Sequence, residues 1–395
     1  MATASEHPAA VFTGSASPGT AASGATGASP GLSPTARPGR RRRPLRTFLL
    51  VLLALVILIP ASAGVYLMNL GRIYDSEVTT IENPFPDEAT RPKAPIANGA
   101  APGAAGVPGT AAGGTNNAGG GTGSVNILVM GSDSRGATTE EAAAGAGSNQ
   151  RADTLMLVHI PADRANIYSI SLMRDLWVGI PDHGQAKINA ALAYGGIPLM
   201  VQTVESIFGQ RIDHVALVDF EGFVGLTDAL GGVEVDIAAG FTSSHGQDTF
   251  QAGRNTLDGE RALAFVRERY AFADGDYQRV RNQQAFVRAL LAKNLSPDTL
   301  LNPLKVQGVV GAIAPFISVD EGLDAAALAG LAVELKDVRP SDMVMFTLPT
   351  LGTGTSADGQ SIVIPDTAAI AAIATSLSDN TLGDYVAGKG LEGGN

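Results

Sequence analysis

The pattern of apolar and polar positions changes character several times along this 395-residue chain. Residues 1–44 are dominated by Pro, Gly, Ala, Ser and Thr without apolar periodicity. That composition offers too little apolar surface to fold and predicts a disordered tail. No charged residue occurs from Thr47 to Gly71, and Phe48–Leu67 is predominantly apolar. A run of this length crosses a bilayer core of ~30 Å, and Pro60 within it is tolerable as a kink. Residues 45–68 are therefore expected to form a transmembrane helix. Residues 69–124 read as a linker, since Asn98–Gly123 is almost wholly Ala, Gly, Pro, Thr and Asn.

Beyond Val125 the pattern becomes that of a folded domain, expected over residues 125–380. Val125–Met130, Leu155–Ile160 and Ile167–Leu172 are continuous apolar runs, the signature of strands buried on both faces. His214–Val218, Val233–Ile237 and Met343–Leu348 are further strands. Helical spacing marks Asn189–Tyr194, Pro198–Phe208, Phe220–Leu230 and Gly259–Val266. Asp320, Glu321 and Asp324 read as the acidic first turn of a helix. Ile362–Ile364 followed by Pro365-Asp366-Thr367 predicts a strand entering a capped helix that ends near Leu377. The alternation predicts an α/β fold in layers. Residues 381–395 read as a flexible end, frayed from Val386.

Charge adds topology to this outline. Arg37, Arg40–Arg43 and Arg46 oppose only Glu6, so residues 1–46 carry +5 and the remainder −16 of the net −11. Arginines immediately before an apolar span predict a cytoplasmic amino terminus and an extracellular domain. Ala61-Ser62-Ala63 resembles a signal-peptide cleavage site, but the preceding tail is longer than a normal n-region, which favours an uncleaved, single-pass anchor. An acidic domain argues against nucleic acid as a partner. The chain contains no cysteine, which excludes disulfides, thiolate catalysis and cysteine-based zinc sites. Its histidines show no metal-ligand spacing.

Candidate chemistry gathers where strands end. Val125–Met130 runs into Gly131-Ser132-Asp133-Ser134-Arg135-Gly136, Arg151 and Asp153 precede Leu155–Ile160, and Arg174-Asp175 follows Ile167–Leu172. In open α/β sheets, ligands bind outside the carboxyl ends of strands. Arg267–Gln284 adds four arginines and three acids within eighteen residues. Asp276, Arg279 and Gln283 share one face of a helix, and Phe286 and Leu290 continue that line into core. Arginine presents a planar fork that matches phosphate oxygens bidentately. The set reads as an anion site with a metal, against the plainer reading of a solvated salt-bridge helix. A nucleotide P-loop and a Gly-x-Ser-x-Gly elbow are both absent.

Asn126–Arg135, Arg151-Ala-Asp-Thr-Leu155, Ser171-Leu-Met-Arg-Asp175, Lys187-Ile-Asn-Ala190 and Arg267…Asp276-x-x-Arg279 together resemble the LytR-CpsA-Psr family. The resemblance extends over most of 125–290, and the composition resembles a high-GC actinobacterial member. It implies a central mixed sheet flanked by helices. It also implies a membrane-anchored phosphotransferase that moves a glycopolymer from a polyprenyl-pyrophosphate carrier onto peptidoglycan as a phosphodiester. It implies Mg²⁺, with Mn²⁺ as an alternative, on Asp133 and Asp153. The same resemblance gives catalytic roles to Asp133, Arg135, Asp276 and Arg279. Arg151, Arg174, Lys187, Arg267, Arg269 and Gln283 would bind the pyrophosphate. Many members carry a second arginine where this chain has Asn282, and Arg281 stands one residue earlier on another helix face. Two other readings use the same residues: a polyprenyl-pyrophosphate phosphohydrolase with water as acceptor, and a non-catalytic cell-wall sensor of the lipid-linked polymer.

Overall fold

Seven strands form the central sheet of the computed structural model, which describes residues 44–93, 123–132, 152–244 and 248–391. Numbered along the chain, they are β1 (Thr79–Ile81), β2 (Val125–Ser132), β3 (Ala152–Ile160), β4 (Ile167–Ser171), β7 (His214–Asp219), β12 (Ser318–Asp320) and β13 (Met343–Thr347). Their order is β1-β12-β7-β2-β3-β4-β13. β2 pairs parallel with β7 and antiparallel with β3, β3 antiparallel with β4, and β4 parallel with β13. The carboxyl ends of β2, β4, β7 and β13 therefore share one sheet edge with the start of β3. That is the edge where the sequence concentrates arginine and aspartate.

Four hairpins complete the strands: β5 (Trp177–Ile180) with β6 (Gly184–Lys187), and β8 (Val233–Ile237) with β11 (Gly253–Leu257). The other two are β9 (Phe241–Thr242) with β10 (Thr249–Phe250), and β14 (Thr350–Thr355) with β15 (Ser361–Pro365).

Alternation across the strands sets the layers. In β7, Val215 and Leu217 enter the main core with Leu128 and Met130 of β2, against the helices Ala190–Phe208, Thr367–Ser378 and Leu382–Lys389. Ala216, on the opposite face, packs with Tyr74, Val319 and Leu323. The result is the expected α-β-α layering around a mixed sheet. β2 buries one face fully and the other only in part, so it is less enclosed than its continuous apolar run suggests. A third cluster joins the β8–β11 hairpin to the helices Gly259–Arg267 and Asp276–Asn294 through Val235, Phe265 and Phe286.

Local signals place most boundaries. The two helices expected at Asn189–Tyr194 and Pro198–Phe208 meet at a kink, where Gly196 takes φ 66°. Only glycine adopts that conformation without strain. Asp366 caps Thr367–Ser378 through a side-chain bond to the Ala369 amide.

Three expectations are corrected. The folded unit begins well before Val125: from Pro60 onward the chain forms one compact unit, separate from the residues up to Ile59. The helix Pro44–Glu77 continues past Gly71, β1 pairs with β12, and Tyr74 and Ile81 are buried. Ile73, Tyr74, Val78 and Ile81 supply apolar positions that the Ala/Gly tract after Asn98 lacks. At the other end, Leu382–Lys389 is helical and buries Leu382 and Val386 at i,i+4 spacing. Burying such a side chain stabilises by roughly 1.5–3 kcal/mol, which ties down an end expected to fray. Asp320 closes β12 rather than opening a helix. Its carboxylate accepts from the amides of Val215 (2.8 Å) and Gly322 (2.9 Å), while Asp324 caps the helix Ala325–Glu334. Among the described residues no helix is long and apolar enough to cross a membrane.

Candidate active site

Residue 152 opens β3 directly opposite Ser132, the last residue of β2, so Asp153 projects beside the β2 carboxyl end. Asp133, Arg135 and Arg151 lie outside the described residues. Ser132 itself is fully buried, and its hydroxyl has no partner among the described residues. Arg174, three residues past β4, reaches Asp153 with Nη1–Oδ1 at 2.5 Å. The segment after β6 closes onto the same turn, as the Asn189 amide donates to the Arg174 carbonyl and the Ile188 amide to Leu176. This leaves Lys187 Nζ 3.4 Å from Asp175.

The helix Asp276–Asn294 brings the second half of the site. Gly275 precedes it with φ 52°, a turn that puts Asp276 in the first helical turn, where the helix dipole favours a carboxylate. Arg279 Nη1 lies 3.0 Å from Asp276 Oδ1, and Arg269 Nη1 approaches the same oxygen at 3.5 Å. Burial pushes the Arg279 guanidinium below the usual arginine value. Asp276 and Asp153 oppose that push, while Arg174 and Arg269 add to it. These five side chains form one electrostatic group of three guanidiniums and two carboxylates, with a net positive charge.

The group is not internally satisfied. The Nε atoms of Arg174 and Arg279 are buried and have no acceptor among the described residues. A buried, unpaired donor normally costs ~1–3 kcal/mol, more when charged. Two of them in one cationic cluster are positioned donors for an oxyanion.

Other expected site residues are engaged differently. Arg267 lies over the Phe220 ring, its guanidinium carbon 4.3 Å from the centroid, at the carboxyl end of β7. Gln283 is buried and donates to the Val266 carbonyl at 3.3 Å. Asn282 donates to the Phe265 carbonyl at 3.0 Å and binds the helix Gly259–Arg267 to its neighbour. Arg281 faces Asp274 and Gln278 on the outer side of the helix. Position 282 thus supplies no cation, and Arg281 beside it faces away from Arg279.

Sequence reasoning missed Glu268. This fully buried carboxylate accepts from Ser243 Oγ (2.7 Å), Ser244 N (2.5 Å) and the consecutive amides of Arg269 (2.9 Å), Tyr270 (2.7 Å) and Ala271 (2.9 Å). Burial would raise its pKa, but the hydrogen bonds from Ser243, Ala271 and Ser244 outweigh burial and hold it at about 2. Glu268 thereby fixes the loop that presents Arg269. An acid between two arginines was visible in the sequence. Its serine partners, 24 and 25 residues away, were not.

Among the described residues no three His, Asp or Glu side chains converge as a metal cage. Asp153 is the one proposed metal ligand that is described, and its Oδ1 faces Arg174.

The sequence and the fold resemble those of known proteins. The LytR_cpsA_psr family model matches residues 110–379. The cell wall biosynthesis protein LcpA of Corynebacterium glutamicum is 31% identical over 280 residues, covering 62% of this chain and 54% of LcpA. The polyisoprenyl-teichoic acid–peptidoglycan teichoic acid transferase TagT of Bacillus subtilis is 30% identical over 248 residues, covering 57% of this chain and 72% of TagT. The chain thus spans about half the length of the first of these relatives. The crystal structure of B. subtilis TagV superposes with a TM-score of 0.56 at 22% identity, covering 66% of this chain and 98% of TagV, a likeness of fold. The likeness to LcpA accords with the actinobacterial composition. With five motifs in order, the layered mixed sheet and a family match over most of its length, the chain belongs to the LytR-CpsA-Psr family.

Proposed function

We propose that the protein is a phosphotransferase that moves a glycopolymer from a polyprenyl-pyrophosphate carrier onto a hydroxyl of peptidoglycan. The observation that carries this reading is the pair of buried Nε–H donors on Arg174 and Arg279, without an acceptor among the described residues, within a net-cationic cluster at the sheet's carboxyl edge. TagT, named as a transferase of polyisoprenyl-linked teichoic acid to peptidoglycan, points to the same chemistry.

In the proposed reaction the acceptor oxygen attacks the glycan-side phosphorus. The bond from that phosphorus to the bridging oxygen breaks, polyprenyl phosphate leaves, and the hydroxyl proton passes to a carboxylate. Arg174 and Arg279 bind non-bridging oxygens, and Arg269, held by Glu268, adds charge on the leaving side. Asp276 keeps Arg279 and Arg269 oriented. Arg135 and Arg151 join the phosphate contacts, and Lys187 lies at the edge. Phosphoryl transfer depends mainly on such positioning and charge stabilisation.

Asp133 and Asp153 would hold Mg²⁺, or Mn²⁺. The donor set fits, since Mg²⁺ is commonly held by one or two carboxylates plus substrate phosphates rather than by a protein cage. The metal would neutralise phosphate charge.

We place the domain outside the cell membrane on a single span at Phe48–Leu67, with the arginine-rich tail in the cytoplasm. That placement rests on the charge-free run and the arginines before it.

The test is incubation of the full chain with a lipid-pyrophosphate oligosaccharide, Mg²⁺ and a peptidoglycan oligomer. A fragment starting at Val125 would lack β1 and is unsuitable. A glycan–phosphate–peptidoglycan adduct is expected, and it should disappear in Asp133→Ala. Phosphate release without adduct would identify a hydrolase instead, and binding without turnover a sensor.

A further inference from the structure

The helix Pro303–Ile313 buries none of its residues, and its first turn is markedly apolar on the outside. Leu301 is 84% exposed and Leu304 78%. The contacts of its neighbour, the helix Pro44–Glu77, fix where that turn sits. Tyr66 Oη donates to the Pro303 carbonyl at 2.7 Å. Further along both helices, a Cβ on Gly311 would touch Ile73 Cγ2 at 3.8 Å. Seven residues of advance on one helix thus match eight on the other, so the two run side by side in the same direction. Beyond them, Tyr74 Oη donates to the Leu323 carbonyl at 3.0 Å, and the Ala325 amide to Asp75 at 3.0 Å. Leu301 and Leu304 therefore lie at the level of Tyr66, the penultimate residue of the apolar run Phe48–Leu67.

That level has its own chemistry. Val65, Leu67 and Met68 are 68%, 58% and 62% exposed, so the apolar surface is continuous in height between the two helices. Tyrosine at the end of an apolar run is the residue type that marks a membrane–water boundary. Lys305 and Asp298 form an exposed ion pair beside the leucines, and lysine on a long stem can hold its charge at headgroup level. Exposed apolar side chains rimmed by charge mark a contact surface.

We propose that Leu301 and Leu304, with Val65, Leu67 and Met68, form a patch that seats the domain in the outer interface of the bilayer. The occupant is lipid: the headgroup–acyl boundary around the chain's own anchor. This rests on the proposed span at Phe48–Leu67 and adds to it. The domain would sit against the membrane at a fixed height and orientation, not swing on a tether, and would meet a carrier lipid where its pyrophosphate emerges.

The absence of cysteine makes the test direct. Single variants Leu58→Cys, Leu301→Cys, Leu304→Cys and Leu351→Cys of the full chain are labelled with an environment-sensitive fluorophore. They are then reconstituted into phosphatidylglycerol/phosphatidylethanolamine vesicles. Labels at 58, 301 and 304 should be blue-shifted, quenched by nitroxide-bearing lipid and protected from aqueous iodide. Leu351, exposed on β14, should show the opposite. If 301 and 304 are open to iodide while 58 remains in lipid, the seating is wrong and the span stands. If 58 is also open to iodide, the span reading falls and takes the patch with it. Protection from iodide without nitroxide quenching would mean that protein, such as a second copy, covers the patch, and would overturn the lipid assignment.

Discussion

Among the described residues, two clusters of arginines and carboxylates are built differently. Against the helix Ala190–Phe208, Arg91 gives Nε (3.0 Å) and Nη2 (2.7 Å) to Glu205 Oε1 and a second Nη2 bond to the Ile212 carbonyl. Its guanidinium also lies over Phe85, 4.6 Å from the ring centroid, and the Ile212 amide donates to the same Glu205 oxygen at 2.9 Å, while Glu205 Oε2 has no partner among the described residues. Beside it, Arg211 grips Glu88 with two nitrogens. At the sheet's carboxyl edge, Arg174 and Arg279 each make one short ion pair and keep a buried Nε without an acceptor among the described residues. The first arrangement straps residues 82–93 to the domain. The second leaves donors in place for an oxyanion. Saturation, rather than burial, separates an architectural arginine from a ligand-binding one.

The largest expected effect breaks the strap. Arg91→Ala leaves Glu205 buried, 1% exposed, without its cation. Removing one partner of a buried pair costs ~3–5 kcal/mol. Urea unfolding followed by the fluorescence of Trp177, the only tryptophan, should show a loss of that size. The rate per folded molecule should remain near native. Arg91→Ala combined with Glu205→Leu should recover much of the stability, since the orphaned charge is then gone.

Arg279→Ala should show the opposite signature. Removing one preorganised oxyanion donor costs ~10²–10³ in rate, while stability should change little, because Arg269 still partners Asp276 and a buried donor without an acceptor among the described residues disappears. Arg279→Lys should not rescue transfer, since an ammonium cannot reproduce the planar fork. Initial rates of adduct formation and thermal melting separate the two outcomes. Near-native transfer in Arg279→Ala would dissolve the distinction between the two arginine classes.

The contrast also explains what was legible in the sequence. Elements governed by local rules appear close to their expected places: β8 at Val233–Ile237, the break at Gly195-Gly196, the cap at Asp366. The Asp276–Arg279 pairing follows from helical spacing, whereas Arg174 pairs with Asp153 and not with its chain neighbour Asp175, which faces Lys187. Long-range partnerships were hidden. Nothing in Ser243-Ser244 announces Glu268, and nothing in Arg91 announces Glu205, which is 114 residues away. Gln283 has the right spacing for the site, yet its amide serves the Val266 carbonyl. Helical phase identifies a face, and only packing decides what that face meets.

Glu268 sharpens the comparison, because it is a saturated carboxylate that serves the unsaturated site. Its folded-state pKa is depressed to about 2, so its contribution is fully present above the ordinary glutamate range and is lost as pH falls toward 2. Glu268→Gln should cost roughly 1–3 kcal/mol at neutral pH through lost charge-assisted hydrogen bonds. Wild-type and variant unfolding midpoints should converge as pH falls from about 4.5 toward 2. Transfer should weaken along with stability, since the amides that hold Arg269 lose their acceptor. A pH-independent gap between the midpoints would show that Glu268 is not ionised in the native state.

The smallest effect is expected at Arg281. It lies two residues from Arg279 on the same helix, in a stretch rich in arginine, and composition alone would give both residues the same role. Arg281 instead meets Asp274 and Gln278 on the outer side, with 37% of its side chain exposed. Exposed pairs of this kind contribute ~0–1 kcal/mol. Arg281→Ala should therefore leave the melting temperature and the transfer rate almost unchanged, beside a loss of ~10²–10³ at Arg279. Moving the cation tests the same point from the other side. Asn282→Arg places a guanidinium on the buried face of the helix, but removes the amide that serves the Phe265 carbonyl. A tenfold loss of rate in Arg281→Ala would mean that the outer face of the helix meets substrate, and that saturation is not what divides these arginines.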